Sequence, residues 1–330
     1  MILDKIYGYF VKRRNRTFDS GSVQLSKCKT PVISIGNIIA GGSGKTPFVI
    51  ALSHLLESFG KKTGIIGRGY KRQGSGLVVV SDGISLKSDL ANAGDEMYMI
   101  AGKLKVPVVV DNVKSKAALF MDNNFDLDFI IVDDGFQHRN LFRDIDILII
   151  DKQTLSQKYL LPAGRLREPF SSIERAHIIA LPDDLDFSKI KSCIADKFLI
   201  RYSTEFGTPY NILTNEKLSD YTENFIALSG IANPIRFSRS LIQEGINISD
   251  SFTFSDHYDY KIKNIKNICL KAVHHNVNKI ITTEKDSVKL LKFGKVFAQY
   301  NVEIYALPLD IVFSDPNQLA DYIYNFIDNK

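Results

Sequence analysis

The chain has 330 residues, more than the ~100–200 that one domain ordinarily uses, so two domains are expected. Hydrophobic residues make up 45% and charged residues 24%, which excludes a disordered or fibrous chain. Lys and Arg number 42 against 37 Asp and Glu, a net charge of +5, too small for a dedicated nucleic-acid binder. No nucleic-acid partner is expected, and any basic function must be local.

The first residues, 1–16, carry Ile2, Leu3, Ile6, Tyr7, Phe10 and Val11 at helical spacing, with Lys5, Lys12, Arg13, Arg14 and Arg16 flanking them. An apolar face with basic flanks suits an anionic membrane surface, although the same face could pack on the rest of the chain. Asp4 and Lys5 interrupt the apolar run and the basic cluster follows it, which is not the order of a signal peptide. No stretch reaches the ~18 apolar residues of a spanning helix. Cys28, Cys193 and Cys269 are odd in number and far apart, arguing against disulfides or a zinc site and for a reducing compartment.

Short β-branched runs then alternate with longer amphipathic stretches, the pattern of an α/β fold with a largely parallel sheet. Strands are predicted at Val32–Ile35, Thr63–Ile66, Leu77–Val80, Val106–Val110, Phe129–Val132, Ile145–Ile150 and His177–Leu181, and helices at Thr46–Phe59, Gly94–Leu104 and Lys114–Asn123. Leu160 to Arg175 is rich in Pro, Gly and Arg and reads as an irregular loop. A second α/β series starts near Phe225, with helices at Pro234–Glu244 and Lys261–His274 and strands at Ile248–Phe254, Lys279–Thr282 and Val302–Leu307. A last helix runs over Asp315–Asp328, opened by Asp315-Pro316. The expected division is residues 1–205 and 206–330, with a linker around 201–222.

Within this frame, the strand at Val32 runs into Ile39, Ala40, Gly41, Gly42, Ser43 and Gly44, and Lys45-Thr46 opens a helix. Glycines allow backbone N–H groups to curl around phosphate, and the helix terminus adds partial positive charge. Lys45 would reach the β/γ-phosphates and the Thr46 hydroxyl would ligate Mg²⁺. Ile39 stands where a strict Gly-x₄-Gly-Lys-Thr has glycine, and Ala40 where partitioning-type ATPases carry an extra lysine. The Phe129 strand ends in Asp133-Asp134, which after such a loop suits Mg²⁺ better than a plain turn. Guanine-specificity signals are missing: Asn278-Lys279 is followed by Ile280, and Thr283-Glu284-Lys285-Asp286 has its lysine one place late. Adenine nucleotide is expected.

The chain resembles the tetraacyldisaccharide 4′-kinases of lipid A synthesis. The resemblance rests on Ser34-Ile35-Gly36-Asn37 with the loop ending Gly44-Lys45-Thr46-Pro47, Arg68-Gly69-Tyr70, Gly94-Asp95-Glu96 and Asp133-Asp134-Gly135-Phe136-Gln137-His138. It extends through the Leu161–Pro169 run, Gly230–Pro234, Asp256-His257 and Thr283–Asp286. It implies two α/β domains with the active site in the cleft between them, and ATP-dependent, Mg²⁺-requiring phosphorylation of the 4′-hydroxyl of a disaccharide 1-phosphate bearing four acyl chains. The implied setting is peripheral, at the cytoplasmic face of the inner membrane, with the lipid disaccharide and the anionic membrane surface as partners and no protein partner evident.

By residue, the resemblance implies that Asp95 activates the sugar hydroxyl, that His257 assists from the second domain and that Lys45 acts on the phosphates. It implies Glu96 near the metal held by Thr46, Asp133 and Asp134, and Glu168, on the irregular loop, is expected within reach of that metal. Arg167, on the same loop, is expected at the phosphates, and Arg68, Tyr70, Gln137 and His138 at the sugar or its 1-phosphate, since they follow strand ends where α/β sheets bind ligands. Tyr258 follows Asp256-His257 where a second histidine is frequent, leaving His257 itself available. The competing possibility is a membrane-surface P-loop ATPase switch that phosphorylates no lipid.

Overall fold

In the computed structural model, which describes residues 2–42 and 44–329, the chain opens with helix α1 (Ile2–Asp19). Strands β1 (Val32–Gly36), β2 (Thr63–Gly67) and β3 (Val78–Asp82) follow, with α2 (Lys45–Ser58) between the first two. Next come the one-turn α3 (Leu90–Ala93), α4 (Asp95–Lys103), β4 (Pro107–Val110), α5 (Lys114–Asn124), β5 (Phe129–Asp133) and β6 (Ile145–Ile149). The short α6 (Lys152–Ser156), β7 (Ile178–Pro182) and β8 (Phe198–Phe206) complete this series. The second contains β9 (Tyr210–Asn211), β10 (Asn224–Ser229), α7 (Pro234–Gln243), β11 (Asn247–Thr253), α8 (Ile262–His274) and β12 (Lys279–Thr283). After α9 (Glu284–Leu290), α10 (Gly294–Gln299) and β13 (Glu303–Leu307), the chain ends with β14 (Leu309–Phe313) and α11 (Pro316–Asp328).

Among the described residues, nine strands form one sheet in the order β14-β8-β7-β6-β1-β5-β2-β4-β3. The inner pairs are parallel; β3 and β14 join the two edges antiparallel. β1, β2, β5 and β6 are buried along their whole length, because helices cover both faces of the parallel sheet. That is why their sequences are mostly apolar on both faces, broken only by single polar residues such as Ser34 and Asp146. The smaller sheet has the order β11-β10-β12-β13-β9, parallel except for β9.

The division between the units differs from the expected one. The region 201–222 is not a free linker: β8 runs through Phe206 as a strand of the large sheet. β14 pairs with β8, and α11 lays Leu319 and Ile323 into the core that includes Phe48 and Ile131. The last ~20 residues, expected in the second unit, therefore pack on the first. Two crossings join the units, and one of them is a single residue, Pro308, between β13 and β14.

The topology positions the site. β1 lies between β6 and β5, and β2 and β4 follow β5, so the loops after β1, β5, β2 and β4 meet at one sheet edge. In open α/β sheets, this carboxyl edge near the point where the strand order reverses is where ligands bind.

Candidate active site

The loop after β1 is shaped by what it must avoid. Gly41 has φ +112°, and a Cβ there would lie 2.0 Å from an Arg165 guanidinium nitrogen. Ala40 and Arg165 exchange two bonds: Ala40 N–H donates to Arg165 O at 2.8 Å and Arg165 Nε to Ala40 O at 3.0 Å. Arg167 N–H donates to Ile38 O at 2.7 Å. The segment expected to be an irregular loop thus straps the phosphate loop along its length. Ile39, in the place of the usual first glycine, is fully buried in the same apolar cluster as Leu166. Position 39 anchors the loop by packing instead of by backbone freedom. Gly44, at φ +73°, turns the chain into α2, whose first turn carries no acidic residue. The helix N-terminus keeps its partial positive charge for an anion. Ser43 lies outside the described residues.

At the neighbouring strand end, Asp133 and Asp134 have different jobs. Arg167 Nη1 donates to both Asp134 oxygens, at 3.0 and 2.8 Å, and Lys45 Nζ lies 3.5 Å from Oδ1. Burial opposes ionisation of Asp134, but Lys45, Arg167 and Lys114 outweigh it and hold its carboxyl well below the usual range. Asp134 also has φ +51°, a left-handed backbone that a non-glycine residue holds only when its surroundings impose it. Lys114 Nζ donates to the backbone carbonyls of both aspartates, from a buried position that lowers its pKa to about 8.

Asp133 is buried, and its Oδ1 finds no hydrogen-bond partner. Burial first, and then the negative charge of Glu96, raise its pKa well above the carboxylate range. A buried, orphaned carboxylate oxygen within electrostatic reach of a second carboxylate is a donor suited to a hard divalent cation such as Mg²⁺. Glu168 is differently engaged. It is fully buried, with Arg175 Nη1 at 2.8 Å, Asn15 Nδ2 at 2.9 Å and Arg14 at 3.8 Å. Its contacts tie α1 to the loop.

Asp95 opens α4, preceded by Gly94 at φ +82°, where a Cβ would crowd the Gly69 and Tyr70 backbone at 3.0 Å. His257, from the smaller unit, brings Nδ1 to 3.3 Å from Asp95 Oδ2. Its backbone is left-handed, with φ +56°. Lys289 Nζ is 3.6 Å from the same oxygen, and Lys285 Nζ bridges Glu96 at 3.2 Å, Asp256 at 3.1 Å and His257 Nε2 at 2.9 Å. Burial alone would raise the Asp95 pKa; the His257 bond and the Lys289 charge lower it on balance. The Tyr70 ring meets the His257 ring edge-on, with centroids 4.8 Å apart.

The remaining candidates line the same edge. Arg68 and Tyr70 are exposed after β2. Gln137 Nε2 donates to Asn37 O at 2.8 Å, and Arg167 reaches Gln137 Oε1 at 3.4 Å. Burial lowers the His138 pKa to about 3, and the positive charges of Lys114, Arg68 and Arg14 add to that effect. His138 is therefore an uncharged ring on a cationic rim. Sequence reasoning missed Lys114, Arg165, Lys285 and Lys289. Arg165 and Lys285 carried a signal, inside the Leu161–Pro169 and Thr283–Asp286 motifs.

Three comparisons bear on this arrangement. The protein-family model described as tetraacyldisaccharide-1-P 4′-kinase matches residues 1–328. A tetraacyldisaccharide 4′-kinase of Halothermothrix orenii is 33% identical, covering 98% of this chain and 91% of its own length. One of Aquifex aeolicus is 35% identical, covering 89% and 90%. The crystal structure of the "apo" form of LpxK from Aquifex aeolicus, in complex with ATP, superposes with a TM-score of 0.79 at 31% identity, covering 98% of this chain and 97% of that one.

Proposed function

The chain belongs to the tetraacyldisaccharide-1-P 4′-kinase family, and from that premise we propose how its own residues carry out the transfer. The reaction moves the γ-phosphoryl group of ATP to the 4′-hydroxyl of a tetraacyldisaccharide 1-phosphate. The 4′-oxygen forms a bond to the γ-phosphorus as the bond to the β,γ-bridging oxygen breaks. ADP leaves with the electron pair, and the hydroxyl proton passes to the Asp95 carboxylate.

The observation that carries this reading is the meeting of α4 with the nucleotide strand end: Glu96 acts on Asp133 while Asp95, one residue away, is held by His257 and Lys289. One short helix therefore spans a metal-type carboxylate pair and a base. Thr46, Asp133 and Glu96 would hold Mg²⁺, which neutralises charge on the phosphates when bound. Lys45 and Arg167, both on Asp134, are the cations available to the phosphates, with the α2 N-terminus beneath them. Asp134 keeps them aimed, a contribution of orientation. Arg68, Tyr70, Gln137 and His138 form the rim for the sugar and its 1-phosphate.

None of the described helices is long and apolar enough to cross a membrane. Attachment falls to α1. Tyr7, Gly8 and Val11 face the protein: the Tyr7 hydroxyl donates to Arg167 O at 3.0 Å and Val11 is buried. Leu3, Ile6, Tyr9 and Phe10 point outward, beside exposed Lys5, Lys12, Arg13 and Arg16. The helix serves both roles, with one face on the loop and another for the cytoplasmic surface of an inner membrane where an acylated substrate resides. The Ile2 side chain lies outside the described residues.

The direct experiment incubates the protein with the acylated disaccharide 1-phosphate and Mg·ATP and reads the lipid by mass spectrometry. A mass gain of one phosphate group, with ADP formed in equal amount, is expected. ADP release with unchanged lipid would favour an ATPase switch instead.

A further inference from the structure

Tyr7, Val11 and Asn15 recur every four residues, so they share one stripe of α1 that runs along ~12 Å of its length. That stripe is turned inward. Val11 is buried, and Gly8 admits the helix so closely that a Cβ there would lie 2.8 Å from Leu160 Cδ1. The stripe meets the strap of residues 165–168 that covers the phosphate loop. Tyr7 Oη donates to Arg167 O at 3.0 Å, and Asn15 Nδ2 donates to Glu168 Oε2 at 2.9 Å.

The phosphate loop holds the strap from the other side. Arg167 N–H donates to Ile38 O at 2.7 Å, Ala40 N–H donates to Arg165 O at 2.8 Å, and Leu166 is buried with Ile39. Both backbone polar groups of Arg167 are therefore engaged, the N–H by the phosphate loop and the carbonyl by α1. With both peptides fixed, the direction in which the side chain leaves is fixed as well. From there the guanidinium reaches both Asp134 oxygens, at 3.0 and 2.8 Å, and Gln137 Oε1 at 3.4 Å. All three contacts use Nη1, and a guanidinium carries two further nitrogens that can donate to phosphate oxygens.

We propose that Tyr7 is a positioning residue for phosphoryl transfer: by fixing the Arg167 carbonyl, its hydroxyl sets where the Arg167 guanidinium meets the phosphates. The proposal rests on the reading of Arg167 as a phosphate cation and names what aims it. Packing does not require the hydroxyl, since a phenylalanine would fill the same space. Arg167 does require it, because it lies outside every helix and strand and no ladder supplies its carbonyl with a donor. The bond also joins two faces of one helix. Leu3, Ile6, Tyr9 and Phe10 are exposed on α1, so the element offered to the membrane is the same rigid element that holds the arginine.

The test is a double-mutant cycle on the full chain: wild type, Tyr7→Phe, Arg167→Gln and the double variant. The lipid substrate is supplied in detergent micelles, so that membrane attachment does not limit the rate. Each protein is also measured for Tm and, without lipid, for Mg·ATP binding by calorimetry. Tyr7→Phe is expected to lower kcat roughly tenfold, inside the ~100-fold that a 1 Å misplacement can cost, and to weaken ATP binding in the same sense. In the Arg167→Gln background the same change should alter neither quantity by more than about twofold, because the guanidinium to be aimed is gone. Its small effect on Tm should persist there, because the carbonyl of residue 167 remains. An equal loss of kcat in both backgrounds would mean that Tyr7 only supports the fold, and would overturn the proposal. Wild-type kcat in Tyr7→Phe beside an impaired Arg167→Gln would overturn it too. Wild-type kcat and ATP binding in Arg167→Gln would remove the arginine from the phosphates, and the role of Tyr7 with it. If the wild type phosphorylates no lipid, the proposed reaction alone fails, and the cycle in ATP affinity decides on Tyr7 by the same comparison.

Discussion

Glu168 offers the sharpest test, because its place on the loop led to an expected metal role whereas its contacts make it a structural anchor. In Glu168→Ala, Arg175 loses bonds of 2.8 and 3.2 Å and Asn15 loses one of 2.9 Å, all to a carboxylate with no exposed surface. Removing one partner of a buried ion pair costs about 3–5 kcal/mol, since the other charge remains in a poor solvent. Arg175 keeps some relief: its side chain is 18% exposed and its guanidinium sits 4.4 Å from the centre of the Phe136 ring. The lower half of that range is therefore expected. For a 330-residue chain unfolding together, 1 kcal/mol corresponds to about 1.5 °C, so Tm should fall by about 4–6 °C.

The pH dependence has a definite sign. Burial opposes ionisation of Glu168, but Arg175 and Asn15 outweigh it and depress its pKa in the folded state. Such a group contributes stability that is fully present above the unfolded carboxylate value, about 4.3, and is lost as pH falls through the depressed folded value. Differential scanning of both proteins from neutral to acid pH should therefore show the Tm gap closing as pH falls below ~4. A Mg²⁺ titration of kinase activity run in parallel should give similar half-saturation for the two proteins. An unchanged Tm together with a large rise in the Mg²⁺ requirement would refute the anchoring argument and return Glu168 to the metal.

Lys45→Ala should reduce kcat at least about a hundredfold, as loss of an oxyanion donor does, while leaving the melting curve close to wild type; more than a tenth of wild-type turnover would exclude Lys45 from the phosphates. Asp95→Asn should lower kcat with little change in the KM for ATP, whereas Asp133→Asn should raise the Mg·ATP requirement as well; the reverse pattern would exchange their roles. Replacing Tyr9 and Phe10 together by Ser should weaken binding to anionic vesicles at least tenfold without lowering Tm, since these rings are about 60% exposed and each is worth ~1.5–3 kcal/mol when fully buried. Equal vesicle binding would mean that attachment lies outside α1.

The fold could be read from sequence wherever one element supplies its own signal. β1, β2, β5 and β6 are covered on both faces, so short Ile- and Val-rich segments marked them within a residue or two. β8 and β14 gave no such signal. They are the outer antiparallel pair, β14 alternates buried and exposed positions, and it is separated from β13 only by Pro308. A strand so close to its predecessor reads as the tail of the same run, although the chain there crosses between sheets. α9 was missed for a related reason: seven residues, three of them lysine or aspartate, carry too little periodicity to register.

The site divides along similar lines. Gly41, Gly42, Gly44, Lys45 and Thr46 are legible because the cradle is contiguous and its backbone demands are local. The cations opposite the acidic motifs form no contiguous set. Lys114 begins a helix and Lys289 belongs to another unit, and nothing in their flanking letters separates them from surface lysines; Arg165 and Lys285 lie inside motifs whose letters do not say what they face. The contact of α9 with α4 is what sets Lys285 and Lys289 against the carboxylates. Yet the acidic motifs implied that such partners exist. Asp95, Glu96, Asp133, Asp134, Asp256 and Asp286 converge on one edge, and so many carboxylates withdrawn from water need compensating charge. Lys45 and Arg167 face Asp134, Lys285 faces Glu96 and Asp256, and Lys289 faces Asp95 and Asp286. Asp133 Oδ1 is left without a hydrogen-bond partner, and that shortfall on the protein side is where a bound divalent cation would enter.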